Sequence, residues 1–196
     1  MRLQRNPALL ALLLTMWLRP MAAAAEVTYD EQIHFYAVQG VTPEQIQQSL
    51  SAKRRAVTGD DNDAITKWQA HWHYKDDGGA KDGRCRITRV DIDYRATITM
   101  PQWVNAQSAS EQTQQMWRRF FDALMRHELN HVRLGRIATQ AMHKKLLELP
   151  PASDCAELKR QVNATAKAFI DKTNQVSDRY DATTQHGVKE GAQFPN

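Results

Sequence analysis

The sequence predicts an α+β fold: a small antiparallel or mixed sheet in the N-terminal half, packed on two long helices in the C-terminal half. Three observations lead there. Between about residues 27 and 100, apolar residues recur mostly with period two, as in strands with one buried face. From about Ser108 to Leu149 the chain carries no proline and a single glycine, and its apolar residues recur at helical spacing. Strands come first and helices second, which sets the chain apart from alternating parallel architectures.

The first strand is "VTYDEQIHFYAV", with Val27, Tyr29, Ile33, Phe35 and Ala37 on one face and Glu31 interrupting it. Gly40 ends it. "TPEQ" then opens a helix, with Thr42 as N-cap, Pro43 at the first helical position and Gln45 closing a capping box. That helix is predicted to reach about Ser51, and "SAKRRAVTGDDND" reads as a polar connection. In "KWQAHWHYK", Trp68, Ala70, Trp72 and Tyr74 share one face, while Lys67, Gln69, His71, His73 and Lys75 share the other. "DDGGAKDG" is a turn or loop. The following strand starts with Cys85 and Ile87 inward, then shifts phase to Val90, Ile92, Tyr94, Ala96, Ile98 and Met100. A slip of one residue predicts a bulge near Thr88 and Arg89. Pro101 is expected to end the strand. The tryptophans at 68, 72, 103 and 117 are placed periodically, as core residues are.

Pro150 and Pro151 stop the first long helix. Ser153 or Asp154 caps the second, with Glu157 spaced to complete a box from Asp154. Leu158, Val162, Ala166, Phe169, Thr173 and Val176 form its buried stripe. The tail "YDATTQHGVKEGAQFPN" reads as irregular.

The N-terminus reads as an export signal. Arg2 and Arg5 form a basic start, Ala8 to Leu18 an apolar core, and Ala23 to Ala25 a small-residue cleavage site. Residues 1–25 are therefore expected to be removed, leaving one domain, 26–196, secreted or periplasmic. The removed part holds three arginines and no acid, so the formal charge of +4 falls to +1. The remaining sequence has no basic tract that would suit nucleic acid. It has no second apolar run of membrane-spanning length. Its two cysteines, Cys85 and Cys155, are expected to pair in an oxidising compartment. That bridge would close a loop of about 70 residues, contributing about 4 kcal/mol through loop entropy.

The chemistry concentrates in "MRHELNHVRLG", residues 125–135. Residues four apart on a helix point the same way, so His127 and His131 can reach one metal ion. Imidazole suits zinc, and Glu128 occupies the position of a general base that takes a proton from activated water. Phe120, Leu124, His127, His131 and Leu134 continue one inward stripe, and buried histidines need partners. Gly135, one turn on, suggests that another segment approaches closely there. A catalytic zinc needs a third protein ligand. The extended motif with a third histidine is absent, since Leu134 stands at its glycine position. His143 lies about 18 Å farther along the helix. Glu157, Asp181 and His186 remain candidates.

Assembled, these pieces resemble a bacterial family of predicted secreted zinc-dependent proteases, long catalogued as a domain of unknown function. The resemblance rests on "HFYAVQGVTPEQI", the Trp68 and Trp72 strand, "CRITRVDIDYRATITMPQW", "HELNH" and "YDATTQHGVKEGAQF". It implies an exported zincin-like metalloprotease domain with His127, Glu128 and His131 in the site; the residues themselves read as those of a zinc-dependent peptidase or amidase with a peptide or protein substrate. The alternative is a zincin-like metal-binding module without turnover that engages a cell-envelope partner. For the third ligand the sequence favours His186. The second long helix has the length to return along the first, Gly187 permits a sharp turn, and Gly135 opposite leaves room for it. Asp181 is then an alternative ligand or a carboxylate that orients a histidine. Tyr180 is expected to donate to the oxyanion formed during attack. His71 and His73 are read as a solvated pair.

Overall fold

The computed structural model describes residues 26–79 and 82–195. The expected export signal lies outside the described residues. The elements are β1 (Val27–Val38), α1 (Pro43–Thr58), β2 (Ile65–Asp76), β3 (Ile87–Trp103), α2 (Glu111–Leu147) and α3 (Cys155–Thr184). Two 3-10 turns add Ala106–Ser108 and Val188–Glu190. The sheet order is β1-β3-β2, with β1 parallel and β2 antiparallel to β3. A mixed sheet from the first half thus packs on helices from the second, as the sequence predicts.

β3 is central, which explains its clean alternation. Val90, Ile92, Tyr94, Ala96, Ile98 and Met100 are all buried. Lys75 pairs with Arg89 and Asp76 with Ile87, so Thr88 is the extra residue of a bulge. Pro101 does not end the strand, which runs on to Trp103. The N–H groups of Ile92 and Val104 both donate toward β1, so even positions of β3 face that neighbour. Pro101 would point its missing donor to the other side, where β2 has already ended opposite Thr99.

β1 departs from its expected burial. Tyr36 and Val38, of the opposite phase, are its buried residues, while Ile33 and Phe35 are 41% and 50% exposed. β1 is an edge strand. α2 lies over β3, where Gly135 meets Tyr94, and reaches β1 through an Arg136–Glu31 ion pair. That pair accounts for the acidic interruption at Glu31. The far end of β1 instead joins Ile46 and Leu50 of α1 in the core.

α1 begins with the predicted capping box but runs past Ser51 to Thr58. Lys53, Arg54 and Arg55 are good helix formers, and the helix stops only at Gly59, in the left-handed region. α2 is capped by Ser110. Asp154 caps α3 by accepting from the Glu157 N–H at 2.7 Å. The Glu157 carboxylate binds Arg160 and Gln161 instead of closing a box. α3 does not dissolve into a tail at Tyr180. It continues to Thr184, and Gln185 forms a left-handed cap.

The bond between Cys85 and Cys155 joins the start of β3 to the start of α3. Backbone bonds between Cys85 and Ala152 reinforce it. Among the described residues no helix is long and apolar enough to cross a membrane.

Candidate metal centre

The inward stripe of α2 carries His127, Glu128 and His131 into the interior at 2%, 4% and 6% exposure. Helical spacing brings the two imidazoles together, with Nε2 atoms 3.3 Å apart. α3 runs antiparallel to α2, since His131 meets Ser177 and His127 meets Asp181. Asp181 Oδ1 therefore lies 3.0 Å from His127 Nε2 and 2.9 Å from His131 Nε2. Three donors around a tetrahedral ion with bonds of about 2.0–2.1 Å lie about 3.3 Å apart, close to this triangle.

The outer nitrogens are held as well. His127 Nδ1 lies 2.9 Å from Glu190 Oε2, and His131 Nδ1 lies 2.7 Å from Ser177 Oγ. Carboxylates only accept, and His127 faces one at each ring nitrogen, so a neutral ring that donates from Nδ1 to Glu190 turns its Nε2 lone pair toward Asp181. A lone pair and a carboxylate oxygen face each other, and a proton or a cation belongs between them. The electrostatics say the same. Burial works against a charged His127, yet hydrogen bonds to Asp181 and Glu190 raise its pKa above the ordinary value. Burial alone would raise Asp181, yet the two histidines hold it well below the usual carboxylate range. The donor set, two imidazoles and one carboxylate oriented by outer partners, fits a divalent metal.

Glu128 lines the same cleft, of about 740 Å³, as both histidines and Asp181. Burial raises its pKa, an effect offset in part by Thr66. The Thr66 hydroxyl on β2 donates to Glu128 Oε2 at 2.6 Å. Ala64 and the first residues of β2, Ile65 to Trp68, line the cleft.

The third position beside the two histidines differs from the expected one. Asp181, not His186, completes the triangle. The extra turns of α3 set Asp181 level with the histidines and carry His186 beyond them. His186 Nδ1 is 3.7 Å from Asp181 Oδ1, and its side chain is half exposed. The segment that approaches Gly135 is Tyr94 of β3, not the tail: an added Cβ would lie 2.5 Å from the Tyr94 hydroxyl. Gly187 packs instead on the His127 ring. Tyr180 is also displaced from its expected role. Its ring stacks on His127 at 4.8 Å. Its hydroxyl donates to Glu190 and accepts from Asn130. It borders a separate small pocket and not the cleft. Glu157 sits at the far end of α3. His143 turns to the Val90 carbonyl, and His71 and His73 are exposed.

Thr66, Ser177, Asn130 and Glu190 were not singled out from the sequence. Ser177 had a signal, lying one turn before Asp181 on the same face. Glu190 had none, because its place depends on the fold of the last residues.

The family model described as "Bacterial protein of unknown function (DUF922)" matches residues 33–187. No curated protein and no solved structure matches the chain.

Proposed function

The chain belongs to that bacterial family of unknown function, and we propose that it is an exported zinc-dependent peptidase. In this reading His127, His131 and Asp181 hold the metal and Glu128 is the general base. One observation carries it: two imidazole nitrogens and a carboxylate oxygen converge within 3.3 Å, beside a buried glutamate in an open cleft. Two nitrogens and one oxygen suit zinc, and three protein ligands leave a position free. Zinc held there supplies Lewis acidity, bringing the pKa of water toward neutrality.

The protein's own groups do the rest. Glu190 and Ser177 fix the ring orientations of the two histidines. Thr66 aims the Glu128 carboxylate. Burial raises the proton affinity of Glu128, which suits it to accept a proton from water and return it to the leaving amine. The disulfide supports an oxidising, exported setting.

Elemental analysis of the purified exported protein, with activity on a peptide library, tests the reading. We expect about one zinc per chain, lost in His127→Ala and Asp181→Ala. Glu128→Gln should keep the zinc and lose turnover. Zinc bound without turnover by the native protein would favour the metal-binding module that engages an envelope partner.

A further inference from the structure

Resting on that reading, we propose that His186 is a catalytic residue whose Nε2–H donates a hydrogen bond to the substrate carbonyl oxygen as negative charge develops there. The argument begins with the backbone. Gln185, His186 and Gly187 have φ of 53°, 50° and 81°, all in the left-handed region. Two consecutive non-glycine residues there are strained, and such strain persists only where the surroundings over-determine it. Here they do. The His186 N–H donates to the Asp181 carbonyl at 2.9 Å. The Gly187 N–H donates to Thr184 Oγ1 at 3.2 Å, and Gly187 sits against the His127 ring. The turn is thus fastened to two of the three proposed ligands.

The consequence is the placement of the His186 side chain. It lines the cleft with Glu128, His127 and His131. Its Nδ1 lies 3.3 Å from Asn62 Nδ2, which reaches across from the loop between α1 and β2. An amide nitrogen only donates, so Nδ1 is the acceptor and the neutral ring carries its hydrogen on Nε2. The Asp181 carboxylate, 3.7 Å from Nδ1, is too far to reverse that assignment. Among the described residues Nε2 has no hydrogen-bond partner. It is a donor left without such a partner, on a ring that lines the same cleft as Glu128 and both motif histidines. Tyr180, whose hydroxyl is engaged by Glu190 and Asn130 outside the cleft, does not supply this donor.

The step balances without a further reactant. The water oxygen bonds to the carbonyl carbon and its proton passes to Glu128. The π pair moves onto the carbonyl oxygen, where His186 stabilises it without giving up its proton. On collapse the C–N bond breaks and Glu128 returns the proton to the amine.

The test uses the exported protein loaded with zinc and internally quenched peptides drawn from a random library. His186→Ala should lower kcat about 10²–10³-fold, the usual effect of removing one such donor. KM should change little, zinc content should equal that of the native protein, and His186→Gln should recover part of the loss. Imidazole ¹⁵N spectra, with His186 assigned by its absence in His186→Ala, should show hydrogen on Nε2. Unchanged kcat in His186→Ala, loss of its zinc, or hydrogen on Nδ1 would overturn the inference. If the native protein is inactive, or if Glu128→Gln is as active as it, the peptidase reading fails and this inference fails with it.

Discussion

At the scale of single residues, the proposed site depends on side chains that lie outside the His127, His131 and Asp181 triangle. Thr66 donates to a carboxylate that is almost fully buried. A hydrogen bond to a charged group contributes about 1.5–3 kcal/mol. Thr66→Val should therefore reduce turnover while leaving zinc content unchanged, and Thr66→Ser should retain most activity. Steady-state kinetics beside elemental analysis checks this. Glu190 orients His127 from outside, and losing such a partner typically weakens metal binding about 10–100-fold. Glu190→Gln should show that loss in competition with a chromophoric chelator. Tyr180→Phe removes the hydrogen bonds to Glu190 and from Asn130, neither of which reaches a proposed ligand directly. It should weaken zinc less than Glu190→Gln, and without the large kcat loss expected of an oxyanion donor.

At the scale of elements, the motif helix is held by one close approach. Gly135 lets Tyr94 of β3 rest on α2, and the Tyr94 hydroxyl donates to the Val132 carbonyl at 3.0 Å. A methyl group at position 135 has no space. Gly135→Ala should destabilise the fold by about 1–3 kcal/mol, as overpacking does. Urea denaturation should register it, with the penalty smaller in a Tyr94→Phe background, where the nearest atom is gone. The same glycine shows how much of an element the sequence reveals. That something approaches there was legible, because glycine is a poor helix former. That β3 approaches, and not the tail, was not legible, because two segments 41 positions apart meet only in three dimensions.

At the scale of the whole molecule, the Cys85–Cys155 bond encloses both β3 and α2, the central strand and the motif helix. Closing a loop of that length contributes about 4 kcal/mol. Cys85→Ser with Cys155→Ser should lower the unfolding free energy by roughly that amount in urea. Zinc content at low denaturant should be preserved, since neither cysteine lies in the metal centre.

The sequence alone determined what local geometry governs. Alternation set the strands β2 and β3, and the slip in phase marked the bulge at Thr88. Four-residue spacing on a helix put His127 and His131 side by side with Glu128 between them. Cap residues marked where α1 and α3 begin, because caps act on their own first turn. Only the tertiary structure decided the rest. Asp181 became the third donor because α3 stays helical past Tyr180 and runs antiparallel to α2, so a contact spanning 50 residues replaced the expected one at His186. Edge position and the place of α1 chose which face of β1 is buried. Thr66 and Glu190 reach the site across 62 and 63 residues. Period and spacing carry information over a few residues, whereas the partners of a buried charge are chosen by how distant elements pack.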